Sequence, residues 1–492
     1  KDFASYSRKA KAHFVIFNQA ERREIILKQA SELAKQAGGN IHEDPNLLDA
    51  VANLVEYPCP ILGEFEEEYL KLPKEVLISV MKKHQRYFPI VSSNGRLLSK
   101  FIAISNNKVA NPDVVKAGYE RVIRARFSDA RFFYEEDRKR HIQDYTEKLK
   151  SVVFQDKLGA YGEKVERVVR LTSYLADKIN PQSKEIAERA ALLCKADLVT
   201  RMVYEFPDLQ GIMGREYALL SGEKPDVANA IYEHYLPKFV GDKLPESDAG
   251  AIVSIADKID TIVSCFGIGL IPTGSEDPYA LRRQTLAIVN IILGKGYRIS
   301  ILDLIVKGIE NLSGKIERDK GEVKKDVLDF FKSRLKNQLV SDGISYDVVD
   351  AVFSAGFDYL VDDINRVKAL SEFKTMEYFE PLTIAFKRAA NILKENTSGI
   401  PEPNLFKEDA EKGLYESFNN IRNEAERLIK EKRYLDALKK IAEIRDSVDR
   451  FFDEVMVMVD DKTLRENRLN LLSEISKIFM QLADFTKIVI VK

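Results

Sequence analysis

"CKADLVTRMVYEFPDLQGIMGREYA", residues 194–218, and "SIADKIDTIV", residues 254–263, both read as helical stretches in which acidic side chains sit among apolar ones. Asp197 lies in the first, Asp257 and Asp260 in the second. A helical metal phosphohydrolase holds its ion in this way, with carboxylates and neutral imidazoles converging from helices. The stretches therefore predict a helical fold here, and they raise the question of the histidines. The chain has five, His13, His42, His84, His141 and His234, and only His234 falls within 155–300. The position before the first aspartate is Ala196, where an adjacent His-Asp pair would be needed. One imidazole with two or three carboxylates is a weak Mg²⁺ site. The residues predict a scaffold that persists without its ion.

The surrounding chain has 492 residues, 45% hydrophobic and 31% charged, which suits three or four domains with true cores. No apolar run reaches the roughly 18 residues that span a membrane. The opening "KDFASYSRKAKAHF" has no apolar stretch of the kind a signal peptide needs. Because the chain opens on Lys1 and not Met, a further N-terminal segment is expected. Cys59, Cys194 and Cys265 are far apart and form no C-x-x-C pair, which argues against a zinc ribbon or disulfide framework and for a reducing compartment. Net charge is −1, so contact with nucleic acid would need a local basic patch.

Outward from the acidic helices, the N-terminal 115 residues are mixed. "NQAERREIILKQASELAKQAGG" predicts a helix capped by Asn18 with Glu21, burying Ile26, Ala30, Leu33 and Ala37 and ending at Gly38-Gly39. A short amphipathic helix is expected near "PKEVLISVMKKH". "RYFPIVSSNGRLLSKFIAIS" predicts a β-hairpin turning at Asn94-Gly95. From about 116 nearly everything reads as helical. "KENTSGIPEPN", 394–404, reads as a linker expected to separate two cores. Beyond it, Ile441, Ile444, Val448, Phe451, Val455 and Met458 step by three and four, which predicts one amphipathic helix, and Leu472, Ile475, Phe479 and Leu482 predict another.

The sequence lacks a G-x-x-x-x-G-K-[ST] phosphate loop, a G-x-S-x-G elbow and any Cys/His pair close in sequence. "GAYGEK", 159–164, lacks phosphate-loop spacing and reads as a turn. A chain of this length without a strong catalytic motif points to a subunit that binds. "YERVIRARFSDARFFYEEDRKR" carries Arg121, Arg124, Arg126 and Arg131 interleaved with Phe127, Phe132, Phe133 and Tyr134. Guanidinium groups suit phosphates and aromatic rings suit bases, although a salt-bridged amphipathic helix would read the same. In "KHQRYFPI", Lys83, His84 and Arg86 either face a ligand or flank a strand.

Several long blocks, in order along the whole chain, resemble one family. They include "LVEYPCPILGEF", "VIRARFSDARFFYEEDRK", "KADLVTRMVYEFPDLQGIMG", "SIADKIDTIVSCFGIGLIPTGSEDPYALRR" and "DALKKIAEIRDSVDRFFDEVMVMVDDKTLRENRLNLL". Together they resemble the β subunit of the bacterial heterotetrameric glycyl-tRNA synthetase, a family that normally begins with one more N-terminal domain. The resemblance implies a multidomain, mainly α protein. It places an α/β domain like the editing domain of the phenylalanyl-tRNA synthetase β subunit at 1–115 and a basic helical connector at 116–154. A degenerate HD-like helical domain would follow at 155–300, a helical linker domain at 301–396 and a helical anticodon-binding bundle at 405–492. It further implies glycine–tRNA ligase activity through glycyl-adenylate. The partners would be tRNA(Gly) and an α subunit, two α with two β, in the cytoplasm and not at a membrane. ATP and Mg²⁺ would be used by the complex through the α subunit, leaving this chain without a catalytic residue, cofactor or metal of its own.

Site expectations follow. The tRNA-binding candidates are Arg121, Arg124, Arg126, Arg131, Arg445, Arg450, Lys462, Arg465 and Arg468. Lys83, His84 and Arg86 are candidates for the editing-like pocket, which is expected to be inactive. Asp197, His234, Asp257 and Asp260 mark the degenerate HD-like site. Two alternatives remain open: an HD-type metal-dependent nucleotide phosphohydrolase using those four residues, and a noncatalytic helical scaffold. Salt-dependent tRNA binding would separate the ligase subunit from the scaffold.

Overall fold

The structure, a computed structural model, describes residues 2–312, 314–393 and 399–490. It divides into two compact units. The first comprises residues 1–166 and 188–235, the second 167–187 and 236–492.

The first unit opens with α1 (Phe3–Ala12), α2 (Gln19–Gln36), β1 (Asn40–Ile41), α3 (Pro45–Leu54) and β2 (Pro58–Glu64). It continues with α4 (Lys74–Ser79), β3 (Phe88–Val91), β4 (Leu97–Asn106) and α5 (Pro112–Asp137). The strands form an antiparallel sheet in the order β1-β3-β4-β2. As the Asn94-Gly95 signal predicts, β3 and β4 are a hairpin, and Gly95 supplies the positive φ of its turn (+76°). The Asn18 side chain accepts from the backbone N–H groups of Ala20 and Glu21 and starts α2. Ile26, Ala30 and Ala34 of α2 and Leu47, Val51 and Ala52 of α3 then cover Phe88, Ile90 and Ile102 of the sheet. Gly63 is required because the Phe101 ring lies where its Cβ would be. A small hairpin, β5 (Val153–Gln155) with β6 (Gly159–Ala160), interrupts a region read from sequence as helical.

Next come α6 (Tyr161–Ile179) and α7 (Lys184–Leu193), which run across the division, then α8 (Arg201–Glu205), α9 (Ile212–Leu220) and α10 (Pro225–Glu233) in the first unit. The second unit continues with α11 (Asp248–Gly267), α12 (Leu281–Lys295), α13 (Ile301–Asn311), α14 (Lys320–Ser341), α15 (Tyr346–Ala355), α16 (Leu360–Phe373) and α17 (Phe379–Ile392). Its last helices are α18 (Asp409–Lys430), α19 (Tyr434–Ala442), α20 (Arg445–Glu454) and α21 (Lys462–Met480). Helix α11 has almost its whole circumference buried, which explains its near-continuous apolar sequence.

Two expectations about the C-terminal region are corrected. The single helix read through Met458 is in fact α19 and α20, and α20 ends at Glu454. Residues 455–459, "VMVMV", alternate instead: Val455 and Val457 are buried, Met456 and Met458 exposed. That is the period of an extended segment. The linker 394–404 also does not separate two cores. Its residues 394–398 lie outside the described residues, but the helices on either side share one core. The Phe386 ring of α17 meets Phe479 of α21 at 4.9 Å and Phe485 at 5.6 Å. The backbone N–H of Asp484 donates to the carbonyl of Ala351 (2.8 Å), and Lys387 Nζ to that of Ile488 (2.6 Å).

Candidate nucleic-acid interface

Helix α5 carries the first group of arginines. Its buried stripe is Ile123, Phe127, Ala130, Tyr134 and Asp137, spaced by three and four, so residues between them face outward. Arg121, Arg124 and Arg126 are exposed there and Arg131 is half-buried. Arg124 pairs with Glu66, and Arg131 with Glu68 at 2.9 Å while lying 5.1 Å over the Tyr69 ring. Arg121 and Arg126 have no carboxylate within ion-pair distance among the described residues, which leaves both guanidinium groups for an external anion.

The C-terminal candidates divide more sharply. Arg450 Nε pairs with Glu454 at 2.9 Å, and Arg445 Nε lies 3.6 Å from Asp449. Lys462 is exposed at the start of α21, and Arg465 donates to the Val459 carbonyl at 3.2 Å. Arg468 is corrected: it is 3% exposed and lies inside the bundle, not on a polar face. Its Nε pairs with Glu411, itself fully buried, and its Nη1 donates to the Met456 carbonyl at 2.7 Å. Glu411 in turn accepts from the backbone N–H groups of Lys407 and Glu408, so the pair ties the start of α18 to α21 and to the 455–459 segment.

In the first unit, the protein itself engages the His234 ring and Asp197 Oδ2, while Asp197 Oδ1 is buried without a hydrogen-bond partner among the described residues. Asp197 is completely buried, and its Oδ2 accepts from the backbone N–H groups of Gly211 (2.6 Å) and Gly214 (3.0 Å) at the start of α9. Burial pushes its carboxyl up to about 6, held back by those N–H groups and the nearby Lys195 ammonium. Lys195 Nζ lies 2.9 Å from His234 Nε2 and 4.4 Å over the Tyr235 ring. His234 Nδ1 faces the Ile231 carbonyl, which fixes the ring with Nδ1 as donor and Nε2 as acceptor. A lysine ammonium thus takes the lone pair that a metal ion would need.

The second unit treats its own carboxylates in the same manner. Arg167, 3% exposed, grips Asp260, 1% exposed, through Nε (2.7 Å) and Nη2 (3.1 Å). Asp257 is half-buried on α11. The carboxylates are legible in the sequence, and their cations are not. Lys195, two residues before Asp197, was the available signal, whereas nothing local marked Arg167.

Of the editing-pocket candidates, Lys83 lines a cavity of about 500 Å³ in the first unit together with His42, Lys74, Ser79 and Asp208. Lys83 Nζ is 3.5 Å from Asp208, which also accepts from Ser79 Oγ at 2.6 Å. His42 is held below the usual imidazole range by burial and by the Lys82 ammonium. His84 and Arg86 do not line this cavity. His84 meets the Phe206 ring edge-on at 5.0 Å, and Arg86 adopts a positive φ (+58°).

The helical bundle at the C-terminal end carries Lys462 exposed and Arg445 and Arg450 on its surface, each near a carboxylate. Comparison with known proteins defines it further. Residues 382–492 match the family model of the DALR anticodon binding domain, and residues 1–354 match that of the glycyl-tRNA synthetase beta subunit. The glycine–tRNA ligase beta subunits of Trichlorobacter lovleyi and Geotalea daltonii are each 50% identical over 99% of this chain and 71% of their own length. That of Syntrophus aciditrophicus is 49% identical over 98% and 70%. The chain belongs to the glycyl-tRNA synthetase β-subunit family.

Proposed function

We propose that this chain is the tRNA-binding subunit of a cytoplasmic glycine–tRNA ligase. In this reading an α subunit makes glycyl-adenylate with ATP and Mg²⁺, two α and two β chains assemble, and this chain grips tRNA(Gly). The carrying observation is the anticodon-binding match over residues 382–492 within a β-subunit family member. The finer domain plan belongs to the same proposal: an editing-like domain at 1–115, a basic connector at 116–154, an HD-like domain at 155–300, a helical linker domain at 301–396 and an anticodon bundle at 405–492.

Within this plan the HD-like region acts as scaffold without a metal. Support comes from the protein groups that engage His234, Asp197 and Asp260. The editing-like domain is inactive, because glycine has no smaller amino-acid competitor and sterics alone can exclude larger side chains. Hydrolysis of alanyl-tRNA(Gly) by the chain would contradict this.

The test of the main reading is a titration with tRNA(Gly) across salt, with glycylation measured in the presence and absence of the α subunit. Binding should weaken linearly in log–log form with added salt. Arg121→Ala and Arg126→Ala should each reduce the slope by about one if each meets a phosphate, whereas Arg124→Ala, whose side chain is already paired, should change it less. Glycine-dependent ATP–pyrophosphate exchange by this chain alone, or no tRNA binding, would overturn the reading.

A further inference from the structure

Helix α8 is only five residues long, yet its backbone is held firmly. Asp137, 2% exposed, accepts from the backbone N–H groups of Arg201 (3.0 Å) and Met202 (2.9 Å) and from the Tyr217 hydroxyl (3.1 Å). Thr200 caps the same turn through Val203 N–H. The side chains raised on this support are unusual for a surface. Tyr204 is 84% exposed and Phe132, from α5, 51% exposed. The Arg201 guanidinium sits 5.7 Å over the Phe132 ring, which meets Phe133 edge-on at 5.9 Å. Phe133, Arg201 and Tyr204 share a cavity of about 520 Å³, within the roughly 300–1,000 Å³ usual for small ligands. Arg138, Lys139 and Arg140 are exposed directly after α5, and Arg140 has no carboxylate within ion-pair distance among the described residues.

We propose that this patch in the first unit is a stacking site for an unpaired RNA nucleotide, with Tyr204 and Phe132 offering ring faces and Arg201 a cation beside them. The inference rests on the tRNA-binding reading and adds to the phosphate contacts of α5 in the first unit a contact to a base. Exposed rings that alternate with guanidinium groups, and a neighbouring basic run, match the two halves of a nucleotide: a π-face and a phosphate. The cavity is lined by the apolar Phe133, Val152, Leu198 and Val199 with Tyr204, but Arg201 and Glu205 also stand in it, whereas the core of a protein interface is depleted of charge. Glu205 adds an acceptor within reach of a base amino group in the same cavity.

The experiment compares the full chain with Tyr204→Ala, Tyr204→Phe and Phe132→Ala. Each is titrated with tRNA(Gly) and, separately, with a short single-stranded RNA carrying 2-aminopurine, whose fluorescence falls on stacking. Tyr204 is too exposed for its loss to unfold the protein. Tyr204→Ala should weaken binding about 5- to 150-fold, the range of one lost base stack, and Tyr204→Phe should restore it. Phe132→Ala should act in the same direction. The salt slope should stay unchanged, because no phosphate contact is removed. If wild type binds tRNA(Gly) and Tyr204→Ala binds it equally well, the stacking site is refuted while the tRNA reading stands. If the oligonucleotide is quenched through Tyr204 but tRNA(Gly) is not preferred over other tRNAs, the stacking site stands and the glycine-tRNA reading falls. Loss of α-subunit association in Tyr204→Ala, with RNA binding intact, would make the patch a protein interface and overturn the proposal.

Discussion

Arg468→Met should damage the fold of the second unit and not the affinity for RNA. Methionine keeps most of the side-chain volume and removes the guanidinium. Glu411 would then remain fully buried, with the backbone N–H groups of Lys407 and Glu408 and no cation. Breaking a buried ion pair from one side costs about 3–5 kcal/mol. The two backbone donors that stay on Glu411 place the cost toward the lower end of that range. The Met456 carbonyl also loses its 2.7 Å bond from Arg468, which adds about 1 kcal/mol. A total of about 4 kcal/mol corresponds to a Tm fall of roughly 7 °C for a unit of about 280 residues, whose unfolding entropy is roughly 0.6 kcal/mol per kelvin. Differential scanning calorimetry of the variant reads this directly. Glu411→Leu combined with Arg468→Met should recover much of the loss, because an apolar pair needs no desolvated charge, although the start of α18 would keep only the Glu408 half of its capping box. A variant that keeps the wild-type Tm but loses tRNA affinity would refute this reasoning and return Arg468 to the RNA-contacting set.

Asp197→Asn should stabilise the first unit at neutral pH. The folded carboxyl, pushed up to about 6, holds its proton more tightly than an unfolded one near 4, so this group's stabilising contribution is full below about pH 4 and lost as pH rises through about 6. The advantage of Asn over Asp in urea unfolding should therefore grow by roughly 1 kcal/mol between pH 5 and 7, and a difference that stays flat or shrinks with pH would contradict it. Ending the chain before the 394–404 linker should leave a destabilised remainder, because Phe379 and Phe386, each 5% exposed, lose their partners in the last helices. A truncated chain whose thermal transitions match those of the intact protein would show two separable cores.

What could be read in advance was whatever a few neighbouring residues decide. Asn18 caps α2 through its own next turn, and Asn94-Gly95 turns a hairpin because Gly95 alone must adopt a positive φ. The "VMVMV" segment shows where such reading is ambiguous. Val455 and Met458 fit steps of three and four from Phe451, yet the same five residues also alternate with period two. Only packing chooses, and it buries Val455 and Val457 while Met456 is 74% exposed.

The candidate sites were legible in residue type but not in role, and the cause is the sequence distance of the partners. Arg465 and Arg468 look equivalent on α21 until Glu411, 57 residues upstream of Arg468, arrives to bury one of them. Arg124 and Arg126 likewise differ only because Glu66 reaches the first from 58 residues away. Asp260 reads as a metal ligand until Arg167, 93 residues earlier, takes both of its oxygens. In each case the charge that neutralises the side chain comes from another element, and whether a surface arginine is free for phosphate is set by that arrival. A free guanidinium is therefore a tertiary property, so the same basic pattern that failed at Arg468 can still hold at Arg121 and Arg126. Measuring the salt slope one arginine at a time reads that property directly, because a side chain already neutralised inside the protein releases fewer counterions from RNA.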